Sequence, residues 1–503
     1  MNRERPQAKF LACIIAACLL AMSSSCTNSK TDSSTGVVKL SATDVAALLG
    51  IRENDSLKLG DIESDKYGVR LSSISFQDTT GKDIDIKKID LQIGTPKDLV
   101  YEIDQLRIEE IDFHDWKSNQ RTKATGINVS KPGQGFIPAI EKAIAASNSG
   151  AELTTGNLAF KKLEIGNIDY LVRAADSSVT RVGVSGFSIT DATTDSLGTL
   201  EVKKVSIGDS VSVEGLKILQ VNRRWADFLL GAISNVSASE PTSTTTRTFD
   251  LGDRVLPFDR FDVGQFVIRF PNPESSEKLA SINLKGLNLN VDRTSTGELS
   301  GINAAASIHI PVDTFPKELK DILMSVNRTK FAQGAVGDAK IQMTFDAIKQ
   351  IESFRVITLT APELFEIKAS MTTRNFATSL AQLLAKRDIT KEIQQTMLSS
   401  LTIDYKDSGL MAYLVSDRHK ESESVKDGLK SMRKEIADGS DKPLHTKEIL
   451  QFIQSPKQIS LRVTSAVLVP AEGFFAKVFA KVFRLEDSDA NSSVKATLTF
   501  SPR

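Results

Sequence analysis

Apolar and polar residues alternate along much of this chain, with the period of two that is typical of half-buried β-strands. The alternation is clear from Gly68 to Phe76 and from Ile84 to Ile93, and similar segments recur between turns of Gly, Asn, Asp and Ser. Two stretches with helical spacing, Ile137 to Ala146 and Trp225 to Val236, interrupt the strands. The pattern predicts an N-terminal β-rich domain over residues 39–236.

A polar stretch, Ser237 to Thr248, divides the chain because it has too few large apolar residues to pack. We place a linker at 237–249 and a second domain at 250–503. That domain opens with strand patterns and then mixes them with helical ones. The predicted fold class is β-rich α+β, with long antiparallel meander sheets and several packed helices in the C-terminal part. The helices predicted there are Pro316 to Phe331, Phe376 to Met397, Leu410 to Ile436 and Lys447 to Ile453.

A short pattern recurs three times: apolar, variable, apolar, Lys, Lys, apolar. The copies are irregularly spaced, and a second recurring pattern places a glycine within predicted strands. We interpret both as ordinary signals of a β-meander rather than as a repeat architecture. The paired lysines are expected to lie at a solvated sheet edge. The three copies are 84–89, 158–163 and 200–205.

The first residues have the order of an export signal. Arg3, Arg5 and Lys9 precede a short apolar run, and three serines precede Cys26. This order resembles a bacterial lipoprotein signal. The resemblance implies a signal peptide at 1–25, an acylated Cys26 as the new N-terminus and a flexible tether at 26–38. Cleavage by an ordinary signal peptidase, or an uncleaved anchor, stays open.

The composition bears on partners and compartment. Lys plus Arg and Asp plus Glu number 63 each, so no net field draws the chain to nucleic acid. All three cysteines lie within the first 26 residues, so the exported part is expected to fold without disulfides. Thr27 is not the aspartate that retains some lipoproteins at the inner membrane. We therefore expect a lipid-anchored cell-envelope protein, at the outer membrane rather than the inner one, that faces the periplasm or the cell surface.

Local catalytic motifs are absent from the sequence. It has no Gly-x-Ser-x-Gly string and no glycine loop that could hold a phosphate, and its four histidines are scattered singly. The polar stretch from Asp487 to Asn491 has the spacing of a calcium loop but lacks the required glycine and glutamate further on. We predict no catalytic residue, no metal site and no cofactor.

The segment from Ala471 to Glu486 has an amphipathic helical pattern, with a wide apolar arc and a narrow basic stripe. A helix of this kind can lie on a membrane or contact an apolar ligand. It can also cover the core of a β-sheet, which is the commoner role and the one that we favour. The phenylalanines that would make the ligand or membrane contact are Phe474, Phe475, Phe479 and Phe483.

Three segments of the C-terminal half occur in an order that resembles a group of uncharacterised exported proteobacterial proteins. They are His309 to Asp313, Leu401 to Leu410 and Phe452 to Pro456, so the likeness covers about residues 250–503. This likeness implies no known activity. The glycine-punctuated strands are also similar to the long curved sheets of AsmA-like envelope proteins, a class associated with lipid movement and outer-membrane upkeep.

Three functions fit these observations. The first is a non-enzymatic envelope lipoprotein that acts as a binding or scaffolding module, for lipid or for an envelope protein. The second is a hydrolase whose site is assembled from distant loops, and the third is a purely structural envelope protein. A continuous apolar groove lined by Phe and Ile would favour the first, a cleft with two or more convergent titratable groups the second, and a closed, well-packed surface would leave the third.

Overall fold

The computed structural model describes the chain in separate segments, and every structural statement below concerns these residues. Of them, 81% lie in β-strands. The described residues are 57–65, 68–77, 82–93, 103–115, 120–132, 159–173, 179–222, 258–272, 275–315, 317–346, 351–362, 364–374, 397–411, 434, 448, 451–452, 455–470 and 494–501.

The chain divides into two compact units, which we describe one at a time. Unit 1 comprises Met1–Thr245 and Pro257–Gly264, and unit 2 comprises Thr246–Leu256 and Gln265–Arg503. The strand β11, Arg260–Asn272, begins in unit 1 and ends in unit 2. The predicted linker at 237–249 lies outside the described residues, so the domain boundary stays a prediction.

Unit 1 is an antiparallel meander. Its first two short strands both pair with the third, and from there each strand pairs with the next one along the chain. Local pairing of this kind needs only short connections, which agrees with the alternating pattern of the sequence. The strands are β1 Leu57–Leu59, β2 Ile62–Asp65, β3 Gly68–Gln77, β4 Lys82–Ile93, β5 Ile103–Asp115, β6 Gln120–Pro132, β7 Phe160–Arg173, β8 Val179–Ala192, β9 Ser196–Ile207 and β10 Val211–Asn222.

Unit 2 follows the same rule of pairing. Each strand from β12 to β19 is antiparallel to its chain neighbour, and several ladders contain a β-bulge. The strands are β12 Ser275–Arg293, β13 Leu299–Ile310, β14 Ala335–Asp346, β15 Ile351–Ala361, β16 Phe365–Arg374, β17 Met397–Asp407, β18 Gln458–Pro470 and β19 Val494–Ser501.

The predicted α+β fold class is wrong, because the described residues are almost entirely antiparallel sheet. The predicted helix Pro316 to Phe331 is present as α1, Lys317–Phe331, but its backbone leaves the helical region at Asn327. Other helical backbone in the described part is limited to the 3₁₀ turn Val312–Thr314 and a few residues at 410–411, 434, 448 and 451–452. Helical periodicity is a local signal, whereas the fold class depends on which elements pair, and here nearly every described segment pairs as a strand.

Two lines of irregular backbone, which we call creases, cross the sheet of unit 1. On alternate strands one residue has a positive φ: Lys88, Gly126, Gly186 and Gly215 form the first crease. The register places the intervening residues 109, 166 and 203 opposite them. In both strands of each pair, the alternation between the two faces therefore shifts by one residue at the same point, which we call a change of phase. Residues that face the apolar side are three positions apart along the chain across the crease and two positions apart elsewhere. The second crease contains Lys131, Asp191 and Gln220, with residues 161 and 198 opposite.

The creases explain the recurring lysine pairs. Lys87-Lys88 and Lys203-Lys204 lie at the first crease and Lys161-Lys162 at the second. The strands that carry them, β4, β7 and β9, are each paired on both sides, so the expected position at a sheet edge is wrong. Two consecutive polar residues occur there because the change of phase turns both toward the polar face.

Bulge geometry in unit 2 can be tested at Gly286, whose φ is 59° and whose added Cβ would meet nothing within 4 Å. Gly286→Ala should therefore lower the free energy of unfolding by about 1–2 kcal/mol through left-handed backbone strain alone. Gly337→Ala is the matched control, since that Cβ would lie 3.5 Å from the Thr360 carbonyl oxygen, an ordinary contact. Chemical denaturation of both variants checks this, and equal stabilities would contradict the assigned backbone.

Candidate functional site

One face of unit 1 is apolar across seven strands. The register aligns its side chains in rows that run perpendicular to the strands, and none of these side chains is charged. Two side chains in these rows carry an oxygen atom, those of Thr122 and Tyr170, and the others are hydrocarbon. Three rows run from β4 to β10 and a fourth from β5 to β10. They are Ile86–Ile111–Ala124–Ile168–Val184–Val205–Val213, Ile89–Ile108–Ile127–Ile165–Phe187–Val202–Leu216, Leu91–Leu106–Val129–Leu163–Ile189–Leu200–Ile218 and, from β5, Phe113–Thr122–Tyr170–Val182–Ile207–Val211.

Burial along these rows is complete on β5 and β6 and uneven on β7 to β10, where Val202 and Ile218 are still only 6% and 5% exposed. Leu106, Ile108 and Ile127 are 0–1% exposed, as in a closed core. On the later strands many positions of the same face are only half-buried, among them Val184 and Val205, and Ile207 is 41% exposed. An apolar surface that stays partly open to solvent is a candidate binding surface.

Unit 2 has a corresponding apolar face. Two complete rows cross it from β13 to β19, and Ile341 and Leu359 within them are 39% and 42% exposed. At one end of the strands the face is covered, because Leu323 and Phe331 of α1 pack with Leu364. The rows are Ala304–Ile341–Ile357–Ala369–Ile403–Leu461–Leu498 and Ala306–Ala339–Leu359–Ile367–Tyr405–Ile459–Phe500.

The opposite face of unit 1 is polar and carries ion pairs between neighbouring strands. Glu110 lies between Lys87 and Lys123, with a nitrogen–oxygen distance of 2.7 Å to each. The hydrogen bonds from Lys123 and Lys87 hold the pKa of Glu110 below its usual range. Charges that alternate in sign along the ladder keep this face in water and favour the observed register. Further pairs join Arg70 to Asp90, Arg121 to Asp112, Arg181 to Asp169, Lys204 to Glu214 and Lys217 to Glu201.

A shallow depression of about 320 Å³ lies in unit 1 beside Gly183, and Asp169, Arg181 and Lys204 line it. Asp169 is paired with Arg181, at 2.7 Å, and Lys204 with Glu214, at 2.9 Å. The charges of the depression are thus satisfied by neighbours within the sheet. This arrangement gives no support to the hydrolase hypothesis, which needs convergent titratable groups that are free to react.

Two segments singled out in the sequence meet in unit 2. The ring centroids of Tyr405 and Phe452 are 5.7 Å apart in an edge-to-face contact. The Asp407 carboxylate accepts hydrogen bonds from the Tyr405 hydroxyl and the Met411 amide, at 3.0 and 2.8 Å. Burial, and then the Asp407 charge, raise the pKa of Tyr405 above its usual range. The Tyr405 hydroxyl therefore stays protonated. Its hydrogen bond to Asp407 stabilises the connection between the end of β17 and the turn that follows it. Phe365 and Phe500 complete the aromatic cluster.

The site residues predicted from sequence lie outside the described residues. They are the lipid-attachment candidate Cys26 and the four phenylalanines Phe474, Phe475, Phe479 and Phe483. Sequence reasoning raised an open apolar groove only in general terms and named no residue of these rows, although the alternating strands already contained them. The sequence does not state how exposed these side chains are, because their exposure depends on which other segments cover the face.

Two searches of the described residues were negative. They contain no group of three or more His, Cys, Asp or Glu side chains that could hold a metal ion. No helix within the described segments is long and apolar enough to cross a membrane. Comparisons with protein-family models and with curated proteins found no match.

The Glu110 ion pairs predict a pH-dependent contribution to stability. Because the folded pKa is lowered, the contribution is present above the ordinary carboxylate pKa of about 4.3 and is lost as the pH falls through the folded value. Glu110→Gln should cost about 1 kcal/mol at neutral pH and nothing in acid. Urea denaturation at both pH values measures the difference.

Glu109→Gln is the matched control, because Glu109 is 62% exposed and lies 3.7 Å from Lys88. Its effect should be smaller than that of Glu110→Gln at neutral pH. Equal effects of the two substitutions would contradict the assigned network.

Proposed function

We propose that the protein is a non-enzymatic lipoprotein of the bacterial cell envelope, whose apolar sheet faces bind the acyl chains of lipids. The observation that carries the proposal is the half-open apolar face, which occurs in both units. In unit 1 it extends without a charged side chain from β4 to β10. An apolar surface of this kind favours an apolar cover, and the proposal assigns that role to acyl chains.

The chemistry of the face favours an acyl chain over an extended peptide. An extended peptide lying on these rows would leave its own amide and carbonyl groups without hydrogen-bond partners, which is costly away from water. An acyl chain has no such groups. Burying each methylene contributes about 0.8 kcal/mol, so about ten methylenes contribute about 8 kcal/mol. The entropy of association offsets a large part of this gain, and binding is expected to be reversible.

The proposed anchor supports the same function. An acylated Cys26 would hold the chain at a membrane, and the tether at 26–38 would let the apolar faces reach lipids nearby. The outer membrane, on the side of the periplasm or the surface, remains the favoured location. The partners that we propose are therefore the membrane and its lipids, with neither nucleic acid nor a cofactor required.

Lipid binding predicts a defect for substitutions on the open part of the face. Val182 and Ile207 are cross-strand partners there, and Ile207 is 41% exposed. The double variant Val182→Asn/Ile207→Asn should weaken binding of a fluorescent fatty acid at least about tenfold, equivalent to about 1.4 kcal/mol. Its unfolding midpoint should change little, because Ile207 is already partly in water.

Thr190 and Thr199 provide the matched control. They are also cross-strand partners on β8 and β9, but their positions belong to the polar face. Thr190→Asn/Thr199→Asn should bind the fluorescent fatty acid as the unsubstituted protein does. Equal binding by both double variants would refute the assignment of the site, and no binding even by the unsubstituted protein would favour a purely structural protein.

The anchor is tested by Cys26→Ser. We expect this variant to lack the acyl mass and to move from the membrane fraction to the soluble fraction of the envelope, because the proposed attachment needs the thiol. Cys18→Ser is the control, since Cys18 lies within the predicted signal peptide. A Cys26→Ser protein that stays in the membrane fraction would show that an uncleaved anchor holds the chain.

A further inference from the structure

Three alternate strands of unit 1 carry the same pair of irregular backbone positions. At the first position Gly126 on β6, Gly186 on β8 and Gly215 on β10 have φ values of 66°, 59° and 65°. Five positions further along each strand, φ is positive again, although these residues have side chains. Left-handed backbone is costly for a residue with a Cβ, so its recurrence at one spacing indicates a shared backbone design. The residues at the second position are Lys131, Asp191 and Gln220, with φ values of 46°, 51° and 54°.

The strand β4 follows the same plan. Lys88 has a φ of 48° at the first position. At the second position, the ladder between β4 and β5 shifts its register between Gln92 and Ile93. The strands that alternate with these, β5, β7 and β9, are described over their whole length and contain no residue with positive φ. Irregular and regular strands therefore alternate through this part of the sheet.

Two pairs of opposed glycines share their contact distances. Gly126 lies against Gly166 of β7, and Gly215 lies against Gly264 of β11. A Cβ added to Gly126 or to Gly215 would lie 3.5 Å from the Cα and the amide nitrogen of the opposing glycine. A Cβ added to either opposing glycine would lie 3.1 Å from the carbonyl oxygen of the residue that precedes its partner. The pair β10 and β11 thus repeats the arrangement of the pair β6 and β7.

The side chains repeat together with the backbone. On β6, β8 and β10 the rows of the apolar face use the residues four and two positions before the first irregular residue, and one and three positions after it. Because β8 and β10 are both antiparallel to β9, they also have the same direction. The residues are Thr122, Ala124, Ile127 and Val129 on β6, Val182, Val184, Phe187 and Ile189 on β8, and Val211, Val213, Leu216 and Ile218 on β10.

We infer that unit 1 is an array of one repeated β-hairpin, in which an irregular strand, β4, β6, β8 or β10, is followed by a regular one. The strands contact chiefly their sheet neighbours, as in other repeat proteins, so a copy can be removed without a change in the rest. At about 4.8 Å per strand, one hairpin adds about 9.6 Å to the width of the apolar face. The number of copies therefore sets how much apolar surface the unit presents, whatever that surface binds.

Two deletions in the full-length chain test the repeat. Removal of residues 187–215 joins Gly186 to Leu216, and removal of residues 192–220 joins Asp191 to Val221. Each junction lies at one of the two irregular positions, so β8 continues as β10 in the same phase and one hairpin is lost. The resulting strand, which we call the fused strand, should pair with β7 on one side and with β11 on the other.

Removal of residues 187–216 is the matched control. It takes out one residue more and joins Gly186 to Lys217. A shift of one residue turns every following side chain of a strand to the other face, so Lys217 would face the apolar side. Hydrogen–deuterium exchange, followed by mass spectrometry, reports the pairing of the fused strand in all three variants.

We expect slow exchange in the fused strand and in β7 for the two in-phase deletions, and loss of this protection in the control. Protection in either in-phase variant supports the repeat, because the two junctions test the same equivalence at different positions. Exchange that is as fast in both in-phase variants as in the control would overturn the inference, since β8 and β10 would then not be interchangeable.

Discussion

The structure depends on a register that holds apolar side chains on one face from strand to strand. Antiparallel neighbours keep this register even where the backbone is irregular, because both strands of a pair change phase at the same crease. A one-residue slip would turn Ile108 or Val202 toward the charged face and a lysine or glutamate toward the apolar one. The ion pairs of Glu110 on the polar face favour the same alignment.

This register places charged side chains on one face of the sheet and apolar side chains on the other. The polar face carries ion pairs between neighbouring strands, such as those of Glu110 with Lys87 and Lys123. The apolar face is unevenly buried across β7 to β10, where Val202 is 6% exposed and Ile207 is 41% exposed. A chain anchored at a membrane would present that face to lipids, and this links the proposed anchor to the proposed ligand.

Part of this architecture could be predicted from the sequence. The alternation of apolar and polar residues from Ile84 to Ile93 indicated strand β4, and the helical spacing of apolar residues from Pro316 to Phe331 indicated α1. The packed α+β arrangement was wrong because local periodicity does not state what an element pairs with. In the sequence the creases were visible only as the lysine pairs and as the recurring glycines within predicted strands, such as Gly186 and Gly215. A shared change of phase is recognisable only once the partner strand is known. The exposure of Ile207 depends on which segments pack over it in the folded protein, and the order of apolar and polar residues along the chain does not show that.

Native mass spectrometry of the protein gently extracted from its own membrane tests the central claim most directly. If the apolar faces bind acyl chains, the folded protein should retain lipid beyond any group attached covalently at Cys26, and mild activation in the instrument should release it intact. A folded protein whose mass equals that of the processed, acylated chain alone, at several detergent concentrations, would contradict the account.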